Sequence, residues 1–133
     1  MPVERQREYE TIYILRPESG EEDIAKIRNR VETVIEQTGG HMLKFDDWGQ
    51  RKLAYEIHDK GESRRYDRGL YQYYRYLVVP NTVNEIERNL NILDSVLKYM
   101  SVKLDDDLIP EERLARPVEE EVEEIIPVLD EEE

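Results

Sequence analysis

Trp48-Gly49-Gln50-Arg51-Lys52-Leu53-Ala54-Tyr55-Glu56-Ile57 reads as a strand with a bend at its start. From Lys52 onward the alternation is clean. Leu53, Tyr55 and Ile57 share one face and Lys52, Ala54 and Glu56 the other, the period of a strand with one buried side. Gly49 precedes the run, where a glycine in strand pattern marks a bulge or sharp bend. Arg51 and Lys52 follow directly, so a rigid corner presents two cations, an arrangement suited to a phosphate backbone. On these ten residues alone, a hairpin strand with solvated charges is the simpler reading. The surrounding chain reverses that preference.

Outward from the run, the elements fall into an alternating order. Tyr9-Glu10-Thr11-Ile12-Tyr13-Ile14-Leu15 is rich in β-branched and aromatic residues and stops at Arg16-Pro17, which predicts the first strand. Ser19-Gly20-Glu21-Glu22 has the form of a capping box. Ile24, Ile27, Val31, Val34 and Ile35 then trace a helical stripe that Gly39-Gly40 ends. Residues 41–57 form the second strand, bent at Gly49, and residues 58–68 a polar, mobile, arginine-rich loop. Residues 69–79 form the third strand. Thr82-Val83-Asn84-Glu85 is a second capping box, opening a helix with Val83, Ile86 and Leu90 inward. Residues 96–103 form the fourth strand. The order β-α-β-β-α-β predicts an α+β, ferredoxin-like split βαβ sandwich. Right-handed crossovers put both helices on one face of an antiparallel sheet of order 4-1-3-2.

That architecture leaves one sheet face without helices. Strand one is apolar on both parities, with Tyr13 and Leu15 on one and Ile12 and Ile14 on the other. Strand three likewise carries Tyr74, Tyr76 and Val78 opposite Tyr73 and Leu77. The expectation is an uncovered apolar surface at Ile12, Ile14, Tyr73 and Leu77, the usual mark of a protein-partner site. Scattered tyrosines on an open sheet face are the plainer alternative.

Charge divides the 133 residues in two. Residues 1–103 hold 17 Lys+Arg against 18 Asp+Glu, a net of −1, whereas 104–133 hold 2 against 14, a net of −12. The division predicts one domain over 1–103 and an acidic tail over 104–133. In the tail, proline and charge leave too little burial to offset chain entropy, so it reads as disordered. Deleting residues 105–133 is accordingly expected to leave the fold and any RNA binding intact. Without cysteine there is no disulfide framework or thiol chemistry. The first residues lack an apolar signal segment and no stretch is long enough to span a membrane, so a cytoplasmic protein is expected.

Taken together, these residues resemble a known family. Asp47-Trp48-Gly49-Gln50-Arg51-Lys52-Leu53-Ala54-Tyr55-Glu56-Ile57 is similar to the hallmark of bacterial small-subunit (30S) ribosomal protein six. Tyr9-Glu10 leading a strand to Pro17, Gly69 opening strand three, Ile86-Glu87-Arg88-Asn89-Leu90 and Val96-Leu97-Lys98-Tyr99 follow in the family's order across residues 5–103. The chain departs from the family at Glu56, often proline there, and at Lys98, often arginine. Lysine keeps the charge but not the bidentate fork. The resemblance implies a structural constituent of the small subunit. It implies binding to the central domain of small-subunit (16S) ribosomal RNA together with small-subunit protein eighteen during assembly. Candidate RNA contacts are Arg5, Arg7, Arg51, Lys52, Arg88, Lys98 and Lys103. A near-neutral body suits that role if its positive charge is local and a basic partner shares the load.

Two other classes share the topology. A sheet-face single-stranded RNA reader of the RRM type is suggested by Arg68-Gly69-Leu70-Tyr71-Gln72-Tyr73, but Gln72 stands where that motif needs a small residue, and stacking on Tyr71 or Tyr73 would be required. An acylphosphatase-like enzyme needs an anion-binding loop after strand one, where Arg16-Pro17-Glu18-Ser19-Gly20 places an acid. His41 and His58 are the only histidines and lack ligand spacing. A non-catalytic protein with no metal, cofactor or small-molecule substrate is expected.

Overall fold

A computed structural model describes residues 5–58 and 65–116. The elements are β1 (Gln6–Leu15), α1 (Glu21–Gln37), β2 (His41–His58), β3 (Arg65–Val78), α2 (Thr82–Ile92), β4 (Val96–Leu108) and α3 (Pro110–Leu114). The four strands form one antiparallel sheet in the order β2-β3-β1-β4, the expected arrangement. The helical stripes do what their spacing requires. Ile27, Val31 and Ile35 of α1 and Ile86 and Leu90 of α2 pack onto Tyr9, Tyr13, Leu15, Tyr74, Tyr76 and Val78. One core therefore lies between both helices and one sheet face.

Neither capping box forms. α1 begins after Gly20, α2 after Asn81, and neither N-cap makes a side-chain hydrogen bond. Ser19 sits one position too early, with its hydroxyl buried and unpartnered, while Thr82 is buried inside the first turn of α2. Side-chain packing outweighs the local motif at both helix starts.

The sheet's second face is not open. Ile12, Ile14, Tyr73 and Leu77, expected to be exposed to a partner, are all 0% exposed. For Ile12, Ile14 and Tyr73 the reason is strand length, whereas Leu77, paired with Glu8, lies outside the cluster that results. β2 has 18 residues and β3 has 14, against 10 in β1. The β2–β3 hairpin therefore overruns the end of β1, and its overhang returns over the second face. Leu53 and Tyr66 from the overhang join Ile12, Ile14, Tyr71, Tyr73 and Leu97, flanked by Trp48, Ile57 and Met100. A second core replaces the expected apolar docking surface. Of the expected 58–68 loop, His58 and residues 65–68 are strand; residues 59–64 lie outside the described part.

Gly69, expected to open strand three, lies inside β3, which starts at Arg65. A Cβ on Gly69 would fall 2.3 Å from Ile14 Cγ2 and 3.2 Å from the Leu15 carbonyl oxygen. Gly69→Ala is therefore expected to destabilise the fold by about 1–3 kcal/mol through overpacking. Urea unfolding measures this, and an unchanged midpoint would contradict the close approach of β3 to β1.

The chain also stays folded beyond residue 103. β4 continues through Asp105-Asp106-Asp107 to Leu108, and α3 starts with Pro110 in its first turn and two acids behind it, a favourable helix start. The reading of a tail disordered from residue 104 is thus corrected for residues 104–116, and residues 117–133 lie outside the described part. Arg113, the buried residue of α3, donates to Glu8 at 2.6 and 3.1 Å. Deleting 105–133 would remove this contact, so that deletion is expected to cost stability rather than to be neutral.

Candidate nucleic-acid interface

The corner at Gly49 is built by a bulge. Gly49 has φ +77°, and the β2–β3 register shifts between Asp47 and Gly49. A left-handed glycine supplies the extra residue without Cβ strain. The Gly49 N–H donates to Asp47 Oδ1 at 2.9 Å, which fixes the turn. Trp48 is thereby laid on Tyr73, ring centroids 5.2 Å apart and planes 11° from parallel. The Arg51 guanidinium lies 5.2 Å from the Trp48 ring and 5.9 Å from that of Tyr71. Cation–π contacts of this kind are worth about 0.5–2 kcal/mol, so Arg51 is oriented by the aromatic platform rather than left to sample solvent.

Beside it, Lys52 pairs across the ladder with Arg68, and both are exposed. Like charges directly opposite each other on a sheet repel. An anion bridging them would turn that repulsion into attraction. Arg68 is not singled out by the sequence, where it reads as part of an arginine-rich loop; its place opposite Lys52 depends on the register after the bulge. Lys98 is half-buried and lies in the row of Gly49, paired with Ile14, which in turn pairs with Tyr71 opposite Gly49.

The other cations lie elsewhere. Arg5 pairs with Asp107 at 3.2 Å, Arg7 with Asp106 at 3.3 Å and Lys103 with Asp106 at 3.2 Å. A hydrogen bond to the Tyr9 hydroxyl, with Asp106 nearby, raises the Arg7 pKa above its usual value. These are surface pairs, individually weak and screened by salt. Their acids nonetheless leave that end of the sheet poorly suited to phosphate. Arg88 pairs with Glu85 on α2, away from both groups. Of the seven expected contacts, only Arg51 and Lys52 follow the bulge directly, on alternate faces of β2, with Lys98 in the row of Gly49.

Tyr71 and Tyr73, which an RRM-type reader would need on an open face, are fully buried. No group of three or more potential metal ligands occurs among the described residues. Among them, too, no helix is long and apolar enough to cross a membrane.

Comparison with known proteins gives a consistent result. The family model described as "Ribosomal protein S6" matches residues 8–103. "Small ribosomal subunit protein bS6" from Trichlorobacter lovleyi is 39% identical over 109 residues, covering 82% of this chain and 83% of its own. The protein of the same name from Caldanaerobacter subterraneus subsp. tengcongensis is 38% identical, covering 75% of this chain and 99% of its own. Among solved structures, 30S ribosomal protein S6 from Thermotoga maritima superimposes with a TM-score of 0.65 at 27% identity, covering 83% of this chain and 97% of that one. The C-terminal domain of the MgtC protein from Mycobacterium tuberculosis, at 11% identity and a TM-score of 0.52, covering 81% of this chain and 98% of that one, shares the fold alone.

Proposed function

From the premise that the chain belongs to the ribosomal protein S6 family, a structural and non-enzymatic component of the small ribosomal subunit, we propose the finer role. The protein binds the central domain of small-subunit ribosomal RNA, together with small-subunit protein eighteen, during assembly. The observation that supports RNA contact best is the cationic corner, where Arg51 is held against Trp48 and Tyr71 beside the cross-strand pair Lys52 and Arg68. Phosphate oxygens are the natural counter-charge for such a group, and the rigid bulge fixes where they must lie.

Lys52→Ala with Arg68→Ala separates this role from a structural one. Both side chains are exposed and mutually repulsive, so thermal stability is expected to hold or rise slightly. Affinity for the RNA in the presence of the partner protein is expected to fall about tenfold. The dependence of log K on log salt should flatten by about one to two units, one for each phosphate no longer neutralised. Filter binding over a salt series measures both quantities. Unchanged affinity with an unchanged slope would show that the corner does not touch RNA. Arg51→Ala is a less clean test, because it also removes the cap on the Trp48 and Tyr71 rings.

A further inference from the structure

We propose that the end of the sheet formed by Glu8, Glu10 and Arg75 is a socket for an arginine side chain. Arg113 of α3 fills it in the free chain, and an arginine of a basic protein partner takes its place when α3 is displaced. This rests on the reading that the chain works with a basic protein partner; the socket's geometry does not depend on it.

Three observations carry the proposal. First, the contact is a guanidinium site. Arg113 Nε and Nη2 donate to the two oxygens of Glu8 at 2.6 and 3.1 Å, the planar two-point match that lysine cannot make. The socket is ordered from behind. Arg75 Nε donates to Glu8 Oε2 at 2.7 Å, and the Tyr73 hydroxyl donates to Glu10 Oε2 at 2.7 Å. Second, the socket needs a cation. With Arg113 lifted away, Glu8, Glu10 and the exposed Asp105 opposite Glu8 outnumber Arg75. Lys44, which faces Arg75 across the ladder, is paired with Asp46 at 3.5 Å.

Third, the element that supplies the plug is built to come off. α3 has five residues, far too few to be stable alone. It buries Arg113 but leaves Glu111, Glu112 and Leu114 exposed. A helix meant as permanent core would bury an apolar stripe; this one is fastened by a charged group whose contacts another arginine can reproduce. α3 also lies outside residues 8–103, which the family model matches. Replacing one arginine by another leaves the contacts of Glu8 nearly unchanged. The competition is then set by the local concentration of Arg113, on the order of millimolar for a short tether.

The test uses full-length protein and a fluorescently labelled, capped peptide of alternating arginine and alanine, with a lysine–alanine twin as control. Fluorescence anisotropy is expected to show the arginine peptide binding Arg113→Ala at least tenfold more tightly than wild type. It should also bind that variant several-fold more tightly than the lysine twin does, and Glu8→Gln in the same background should abolish the difference. Equal binding to wild type and Arg113→Ala, equal binding of the two peptides, or indifference to Glu8→Gln would each overturn the socket. Should Arg113→Ala not fold, Arg113→Lys replaces it, since lysine keeps the charge without the fork and must yield to the arginine peptide more readily than wild type does. Co-purification with small subunits, assayed separately, decides the ribosomal reading. Its loss alongside an intact peptide result would sink that reading and leave the socket standing.

Discussion

Glu8→Ala is expected to lower the unfolding free energy by about 3–5 kcal/mol, the usual penalty for leaving a buried charge without its partner. The side chains of Glu8 and Arg113 are each 5% exposed, and Arg75 is 12% exposed. Alanine would strand two guanidinium groups against the sheet and release the contact that holds α3. Urea unfolding measures the loss, and proteolysis should show cleavage near α3 appearing first. A change below about 1 kcal/mol would mean the cluster is wetter than its geometry implies.

The same carboxylate sets a pH dependence. Burial pushes its pKa up, but the hydrogen bonds from Arg113 and Arg75 and their positive charge outweigh burial. The net position is below the ordinary glutamate value. A group depressed in the folded state stabilises fully above its unfolded pKa, about 4.3, and loses that contribution as pH falls through the folded value. The Tm difference between wild type and Glu8→Gln is therefore expected to be greatest above about pH 5 and to shrink below about pH 4.

Ile12→Ala is expected to cost about 3 kcal/mol, within the range for truncating a fully buried aliphatic side chain. Val102→Ala, on β4 opposite Glu10 and 36% exposed, should change stability by less than about 0.5 kcal/mol. The contrast tests the second core directly. Were the hairpin overhang not seated on this face, Ile12 would behave like Val102, with the sheet face free for a protein partner. Denaturant midpoints of the two variants decide between these cases.

The fold was legible because its signals are local and periodic. The α1 and α2 stripes, the parity of Leu53 and Ile57 and the order of elements lead to the sheet topology. The bend at Gly49 was legible for a similar reason, since glycine in strand pattern has few other uses. The capping boxes were misleading, because Ser19 and Thr82 are a position away from where packing starts the helices. The candidate site was half legible. Arg51 and Lys52 stood out beside Gly49, but Arg68 became their neighbour only through strand pairing. Arg5 and Arg7 read as RNA contacts because nothing in their own segment shows Asp107 and Asp106 beside them, whereas for Lys103 the acid was three residues along, in a stretch read as tail. Pro110 followed by Glu111 and Glu112 was a helix start in plain sight, hidden by the surrounding acidity.

By itself, then, the sequence determined the element order, the family and the bent cationic strand, since each depends on residues near one another in the chain. Tertiary structure alone decided what covers the sheet and which charges remain available. Those outcomes depend on how far β2 and β3 overrun β1, and on an arginine 105 residues from the glutamate it reaches. Burial and ion pairing are set by distance in space, and periodicity along the chain carries no measure of it.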